Sequence, residues 1–473
     1  MRFDEYRKHD GVALAALVAR GEVTAGELLD IAIARAAQVT PAINAIARTQ
    51  YPRARAAVEA GLPDGPLRGV PYLIKDLSIF EKGVPAGLGS ALYANFVPDH
   101  DSAYTARCKR AGLVIMGRSL TPELGLSPST EPRGYGACHN PWNLSYSAGG
   151  SSGGSAAAVS AGILPVAHAT DGGGSIRTPA AHCALFGLKP SRGRVSYSPG
   201  AGEGWGGLAV THVVSRSVRD SALLLDLTSG PEPGDPYAAP APERPFADEV
   251  GRYPGRLKIA MMRHDHRGVA LHAECIKAVE NAARLCESLG HIVEEAAPDI
   301  NLAELRPKNQ ILLAANVARA LALRWRMLKR EPRRDDVEAL TWAVFNRGHA
   351  ITGIQYVEAV AAAHAAGRKL AAFLASYDMI LTTTLPAPPP LLGYFDMNGD
   401  VETFSARAAQ YLTITPLYNA TGTPAMSVPL HWTSDGLPVG VHFGGRYGEE
   451  GKLIGLAAQL EEAQPWFDRL PPL

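Results

Sequence analysis

An α/β protein is what this sequence predicts, on three observations. Apolar residues recur at helical spacing behind a capping signal near the N-terminus. Short apolar runs of strand length, bounded by Gly and Pro, recur further along. The two kinds of signal then alternate toward the C-terminus, the pattern of a sheet covered by helices. In order, Thr24-Ala25-Gly26-Glu27 has the S/T-x-x-E form of a capping box, with Leu28, Leu29, Ile31 and Ile33 behind it, and helix is expected to about residue 60. GVPYLIKDLSIF from Gly69 reads as a strand and turn, and LVIMG at 113–117 as a short buried strand. AAAVSAGILPVAHAT at 156–170 supplies a helix and then a strand. Seven prolines between Gly230 and Gly255 predict an extended crossover. LKIAMM at 257–262 starts a new strand, about 272–289 reads as helix, and 302–376 is mostly helical. DMILTTTLP at 378–386 and PVGVHFGG at 438–445 are strands again. No internal repeat is visible.

Composition excludes several classes. The chain has 473 residues, 46 basic and 46 acidic, with 46% apolar and 19% charged residues. That is apolar enough for a sizeable core, and a balanced charge argues against disorder, a polybasic membrane patch and an electrostatic nucleic-acid binder. The basic cluster Arg324, Arg326, Lys329, Arg330, Arg333 and Arg334 is followed at once by Asp335 and Asp336, so it reads as a solvated helix end. Five cysteines without a CxxC pair suit a reducing, cytoplasmic compartment rather than a disulfide framework. The first ten residues, MRFDEYRKHD, hold no apolar signal core, and the longest apolar run is too short to span a bilayer. His264, His266 and His272 lack the companions of a metal site. No metal, cofactor, nucleic-acid or membrane partner is expected.

The informative segment is the one without charge. Gly134–Leu188 holds only Asp171 and Arg177, where the chain average predicts about ten charges. SAGGSSGGS at 147–155 alone would pass as a linker, but the apolar stretch behind it argues for a buried centre. Burial makes each remaining polar group costly, so Asp171 and Arg177 are expected to pair with each other or with polar neighbours. Gly172-Gly173-Gly174 puts three backbone N–H groups, bare of side chains, just before Ser175, the equipment of an oxyanion hole beside a nucleophile. A tight turn would need only one glycine.

A serine nucleophile needs a base. GGSSG at 149–153 has the G-x-S-x-G form of a nucleophile elbow, but NLSYSA before it is a poor buried strand and no Asp…His arrangement follows. GGSSGGSA lacks the Lys-Ser/Thr end of a phosphate-binding loop. Lys75, in VPYLIKDLSIF, is the other candidate: on the surface it would pair with Asp76, whereas buried it would lose its charge and accept a proton.

These segments together resemble the amidase signature family. GGSSGGS at 149–155, followed by Ser175 in TDGGGSIRTPA, is similar to the signature itself, and GVPYLIKD to the family's lysine motif. NPWNLSYSAGG, VSRSVRDSALLLDLTSG at 214–230 and YNATGTPAMSVPLHWTSDGLPVGVHFGG at 418–445 resemble its other characteristic segments, the likeness being weakest over about 231–375. The resemblance implies one domain over 1–473, with a central twisted mixed β-sheet covered by helices on both faces. Its parts would be an N-terminal helical region (1–60), the signature core (61–230), a variable and mainly helical region (231–376) and a C-terminal part of the core (377–473). It implies a Ser-cis-Ser-Lys triad: Ser175 as nucleophile, Ser151 as relay after a cis peptide bond, Lys75 as base. Amides of Gly172, Gly173, Gly174 and Ser175 would hold the oxyanion, with Asp171, Arg177 and Ser152 supporting them. Gly172 stands where many relatives carry Ile, Thr or Ala, which predicts a wider pocket or a looser loop. Within the family the texture is similar to 6-aminohexanoate cyclic dimer hydrolases, aryl acylamidases and urethanases. The implied activity is hydrolysis of amides (anilides, linear or cyclic oligoamides), and of aryl carbamates or esters, by a monomer or homodimer, with an ammonia-releasing amidotransferase subunit as the alternative. Tyr135, Trp205 and Trp325 are candidate flanks for an aryl group, on walls expected from 124–137, 200–207, 310–325 and 382–394.

Overall fold

The computed structural model describes residues 1–473 and places the chain around one large mixed sheet. From one edge its strands run Ile292–Glu295, Lys258–Met261, Met379–Thr383 and Pro438–Gly445. Ala425–Trp432, Phe186–Lys189, Val210–Ser215 and Val166–Asp171 complete it. The first three pair parallel and every later pair is antiparallel. A smaller sheet sets Val114–Ser119 between Ile46–Thr49, antiparallel, and Pro71–Lys75, parallel. Strand Pro71–Lys75 lies against strand Val166–Asp171, which joins the two sheets.

Helices cover both faces of the large sheet, and two glycines of one strand show it. Successive side chains of a strand point to opposite faces. A Cβ on Gly440 would meet Ala181 of the helix Arg177–His182, whereas a Cβ on Gly445 would meet Leu453 of the helix Glu450–Ala463. The largest hydrophobic cluster, 50 buried residues, reaches from Tyr6 and Leu14 through the sheet to Leu460 and Trp466, so the chain's two ends share one core.

Most elements fall where the apolar pattern puts them. The capping box at Thr24 forms, the Thr24 hydroxyl accepting from the Glu27 amide while the Glu27 carboxylate accepts from the Thr24 amide, and it opens a helix over Ala25–Ile43. The segment 302–376 divides into helices Leu302–Met327, Ala339–His349 and Gly353–Leu374. The proline-rich stretch carries only the short 3-10 turn Phe246–Glu249. Strand Ile46–Thr49 interrupts the expected N-terminal helical region, since four residues without alternation give no sequence signal. The basic cluster is not wholly solvated: Arg324 is buried, its Nε donating to the Leu92 carbonyl at 3.0 Å between the rings of Tyr93 and Phe96. No helix is long and apolar enough to cross a membrane.

The glycines of the charge-free segment let backbones touch. Gly154, in the helix Gly153–Ser160, has its Cα where a Cβ would sit 2.3 Å from the Leu120 nitrogen and 2.5 Å from the Ala45 oxygen. Both partners are main chain and cannot swing aside. Gly154→Ala is therefore expected to cost about 1–3 kcal/mol of stability, read as a lower denaturant midpoint, by forcing the helix off its seat. Gly353→Ala, where nothing lies within 4 Å of the added carbon, serves as the neutral control.

Candidate active site

Lys75 ends its strand fully buried. Its main-chain N–H donates to His168 Nδ1 at 3.1 Å, and His168 Nε2 lies 2.6 Å from Thr211 Oγ1. Because Nδ1 accepts, Nε2 carries the proton and donates to Thr211. Burial, and then the nearby Lys75 and Arg118, keep this imidazole neutral by holding its pKa well below the ordinary 6.5. The Lys75 amine meets three hydroxyls: Ser151 Oγ at 2.6 Å, Thr170 Oγ1 at 2.8 Å and Ser152 Oγ at 3.0 Å. Ser152 directs its own proton to the Thr170 carbonyl at 3.2 Å, so toward Lys75 it accepts. Burial pushes the Lys75 pKa well below 10.5, with Asp171 the opposing attraction. The surface-lysine reading is excluded, and Asp76 does not pair with Lys75; it accepts from the Gly87 amide at 2.9 Å and lies 3.8 Å from Arg118.

The serine-rich segment is clasped from two sides. The Gly150–Ser151 peptide is cis, and Ser151 is buried. A Cβ on Gly150 would fall 2.5 Å from the Ser127 oxygen, and one on Gly149 would fall 2.6 Å from Pro179 Cα. Gly149 also has φ +82°, a conformation that suits glycine. Ser151 thus faces lysine, not histidine, and the strand before it, Asn143–Ser147, belongs to a small two-stranded hairpin and is exposed over its first three residues. Neither feature is that of a nucleophile elbow.

The loop from Asp171 to Arg177 winds around one carboxylate. Asp171 Oδ1 accepts from the Gly174 amide at 2.7 Å and from Arg177 at 3.0 Å; Oδ2 accepts from Arg177 Nε at 2.9 Å and the Ile176 amide at 3.2 Å. Asn419 donates to both the Asp171 carboxylate and its carbonyl. Arg177 also donates to the Thr415 carbonyl and to Asn419 Oδ1. The two isolated charges are thus a fully buried bidentate pair. Burial opposes ionisation of Asp171, but Arg177, Lys189 and Asn419 outweigh it and hold the carboxyl below the usual range.

This winding corrects one expectation. The Gly174 N–H is engaged by Asp171 and is not available to an oxyanion. Gly174 is needed for its backbone: φ is +132°, and a Cβ would meet Thr415 Oγ1 at 2.4 Å. The amides of Gly172, Gly173 and Ser175 make no protein hydrogen bond, and the half-buried Ser175 hydroxyl likewise has no protein partner. The Gly172 expectation also changes. A Cβ there would fall 2.6 Å from Trp205 Cε3, so the indole occupies the space that a side chain at 172 would take, and the pocket is not widened.

Beside Gly172 and Gly173 opens a cavity of about 240 Å³. Leu126 and Pro128 contribute from one side, as expected of 124–137, and Gln310, Leu313 and Ala314 from another. Residues from 340–347 and 401–412 line much of the rest, with Leu208, Arg306, Asn309 and Pro416, while 200–207 and 382–394 supply none. Tyr135 lies outside it, with its hydroxyl beside Gly87 and Asp76. Trp205 touches the cavity's glycine floor rather than its walls. Trp325 is core, stacked edge-on to Phe345 with its Nε1 donating to Asp336 at 2.7 Å. His168, Thr170, Thr415 and Asn419 were not singled out by sequence; Asn419 lay in a family-like segment, and His168 was visible only as a polar break in an apolar run.

Residues 27–454 match the family model described as Amidase. The 6-aminohexanoate-cyclic-dimer hydrolase of Paenarthrobacter ureafaciens is 38% identical over 98% of this chain and 96% of its own length. That of Pseudomonas sp. (strain NK87) is 37% identical, with the same coverage. A solved structure of 6-aminohexanoate cyclic dimer hydrolase superposes with a TM-score of 0.94 at 36% identity, covering 98% of both chains. A bacterial aryl acylamidase of the amidase signature family superposes with 0.87 at 26% identity, over 97% of this chain and 96% of that one. A match over most of the chain, together with relatives of more than a third identity along nearly its whole length, makes this protein a member of the amidase signature family.

Proposed function

We propose that this chain hydrolyses the C–N bond of small amides through an acyl-enzyme, with Ser175 as nucleophile, Ser151 as proton relay and Lys75 as base. The observation that carries the reading is the buried Lys75 amine 2.6 Å from Ser151 Oγ and 2.8 Å from Thr170 Oγ1, Thr170 lying just before the loop on which the amides of Gly172, Gly173 and Ser175 are unengaged. Ser175 Oγ attacks the carbonyl carbon and passes its proton to Ser151, whose own proton moves to the Lys75 lone pair. The carbonyl oxygen becomes an oxyanion held by the amides of Gly172, Gly173 and Ser175. Collapse breaks the C–N bond, and the leaving nitrogen takes a proton from Ser151, which Lys75 replenishes. Water then attacks the ester by the same relay, giving the acid and restoring Ser175. Anilides, linear or cyclic oligoamides and aryl carbamates all present a carbonyl carbon bonded to nitrogen, so each suits this chemistry. Likeness to the cyclic-dimer hydrolases and to an aryl acylamidase supports the first two. Five free, buried cysteines support a cytoplasmic setting.

Ser175→Ala is expected to abolish turnover of anilides, esters and aryl carbamates with an unchanged denaturation midpoint; hydrolysis at near wild-type rate would remove Ser175 from the mechanism. The base must be uncharged to accept a proton, so kcat/KM should rise with pH as the Lys75 ammonium deprotonates. Because burial lowers its pKa, the rising limb should lie well below pH 10.5. A profile flat from mildly acidic to alkaline pH in the chemical step would exclude Lys75 as the base. Gly172→Ala should lower kcat at least about tenfold by driving the oxyanion loop off Trp205, and the Gly172→Ala/Trp205→Ala double variant should recover part of it. Equal losses in the single and double variants would show that the ring does not set the loop.

A further inference from the structure

The cavity beside the glycine loop carries an unbalanced charge. Arg306, on the helix Leu302–Met327, and Arg347, on the helix Ala339–His349, both line it, and no Asp or Glu does. Neither guanidinium makes an ion pair anywhere in the protein. Arg347 donates to Gln310 Oε1 at 3.0 Å, and Arg306 reaches only the Ser405 carbonyl at 3.3 Å. The charges that act on Arg306 are themselves positive: burial lowers its pKa first, and Arg347 and Arg267 add to the shift. The remaining wall is mostly apolar, with Leu313, Leu340, Val344 and Phe404, and its other polar side chains, Asn309, Gln310 and Ser405, are uncharged. Arg306 is half-buried and Arg347 sits exposed at the rim, and a neutral ligand would remove water from the Arg306 guanidinium and return no counter-charge. A carboxylate matches the planar fork of arginine and would gain from the poorly hydrated wall around it.

We infer that the cavity takes amides that carry a carboxylate, with Arg306 and Arg347 receiving the anion and the apolar wall packing on the carbon stem between it and the scissile bond. This substrate class rests on the amide-hydrolase reading above. The carboxylate can sit on either side of the scissile bond: on the acyl part, as in the monoamide of a dicarboxylic acid, or on the amine part, as in an N-acylated ω-amino acid.

Calorimetric titration of the full chain carrying Ser175→Ala separates binding from turnover. One series is the monoamides of succinic to suberic acid, each against its neutral diamide; the other is N-acetyl-ω-amino acids, each against its own amide. The best acid in at least one series should bind about tenfold or more tighter than its neutral isostere, and added salt should shrink the difference. Arg306→Gln should remove most of that preference while leaving the neutral isostere within about twofold, and Arg306→Lys should restore part of it. In the otherwise wild-type enzyme the Arg306→Gln loss should fall on KM for the acid. Equal affinity of acid and isostere in both series overturns the inference, as does a preference that survives in the Arg306→Gln/Arg347→Gln double variant. The hydrolase reading fails separately: a wild-type chain that turns over none of these compounds and no simple anilide loses that reading, whether or not the acids bind.

Discussion

Everything in the site depends on an amine kept out of water. Lys75 is surrounded by three hydroxyl oxygens, and this shell can satisfy either of its protonation states. As an ammonium it has three N–H donors for three oxygens. As a neutral amine it has two N–H groups and a lone pair, and one hydroxyl turns to donate. No polar atom is orphaned in either state, so a proton can come and go without repacking. Burial sets the resting balance toward the neutral form. The small sheet holds the strand that brings Lys75 in, and the large sheet supplies Thr170 and, through His168, the anchor for the lysine main chain.

The second buried pair has the opposite electrostatic character. Asp171 and Arg177 remain charged because each is saturated with partners: main-chain amides, Asn419, the Thr415 carbonyl and each other. Such a pair gives little net stability for its desolvation. What it supplies is shape. With Gly174 and Ile176 tied to the Asp171 carboxylate, the intervening Ser175 amide and the two glycine amides before it are left without partners, on the loop that presents the Ser175 hydroxyl.

Much of this was legible in the sequence, for physical reasons. A long segment with two charges can fold only if those charges meet, and Asp171 and Arg177 do. Apolar runs of strand length at 113–117, 257–262, 378–386 and 438–445 became strands because periodicity and burial are the same signal. Other features were not legible. The Gly174 amide reads from sequence as an oxyanion donor that it is not, because a bare amide in a sequence does not reveal whether another group has claimed it. Trp205 over Gly172 pairs residues from different loops, and only the packed chain joins them. Tyr135 and Trp325 show the limit of reading aromatics as substrate flanks: one lies by Asp76 and the other in the core. The cavity wall from 340–347 and 401–412 lies in helices whose local sequence is ordinary amphipathic helix.

That wall has an architectural consequence. Lys75, Ser151 and the glycine loop come from the two sheets and the loops between them, whereas most of the cavity wall is carried by three helices, Leu302–Met327, Ala339–His349 and Val401–Tyr411. The helices and the sheet-borne part of the chain meet around this cavity at Leu126, Pro128, Gly172, Gly173, Leu208 and Pro416. Sequence change in those helices would therefore reshape most of the cavity wall while leaving the Lys75–Ser151 contact in place.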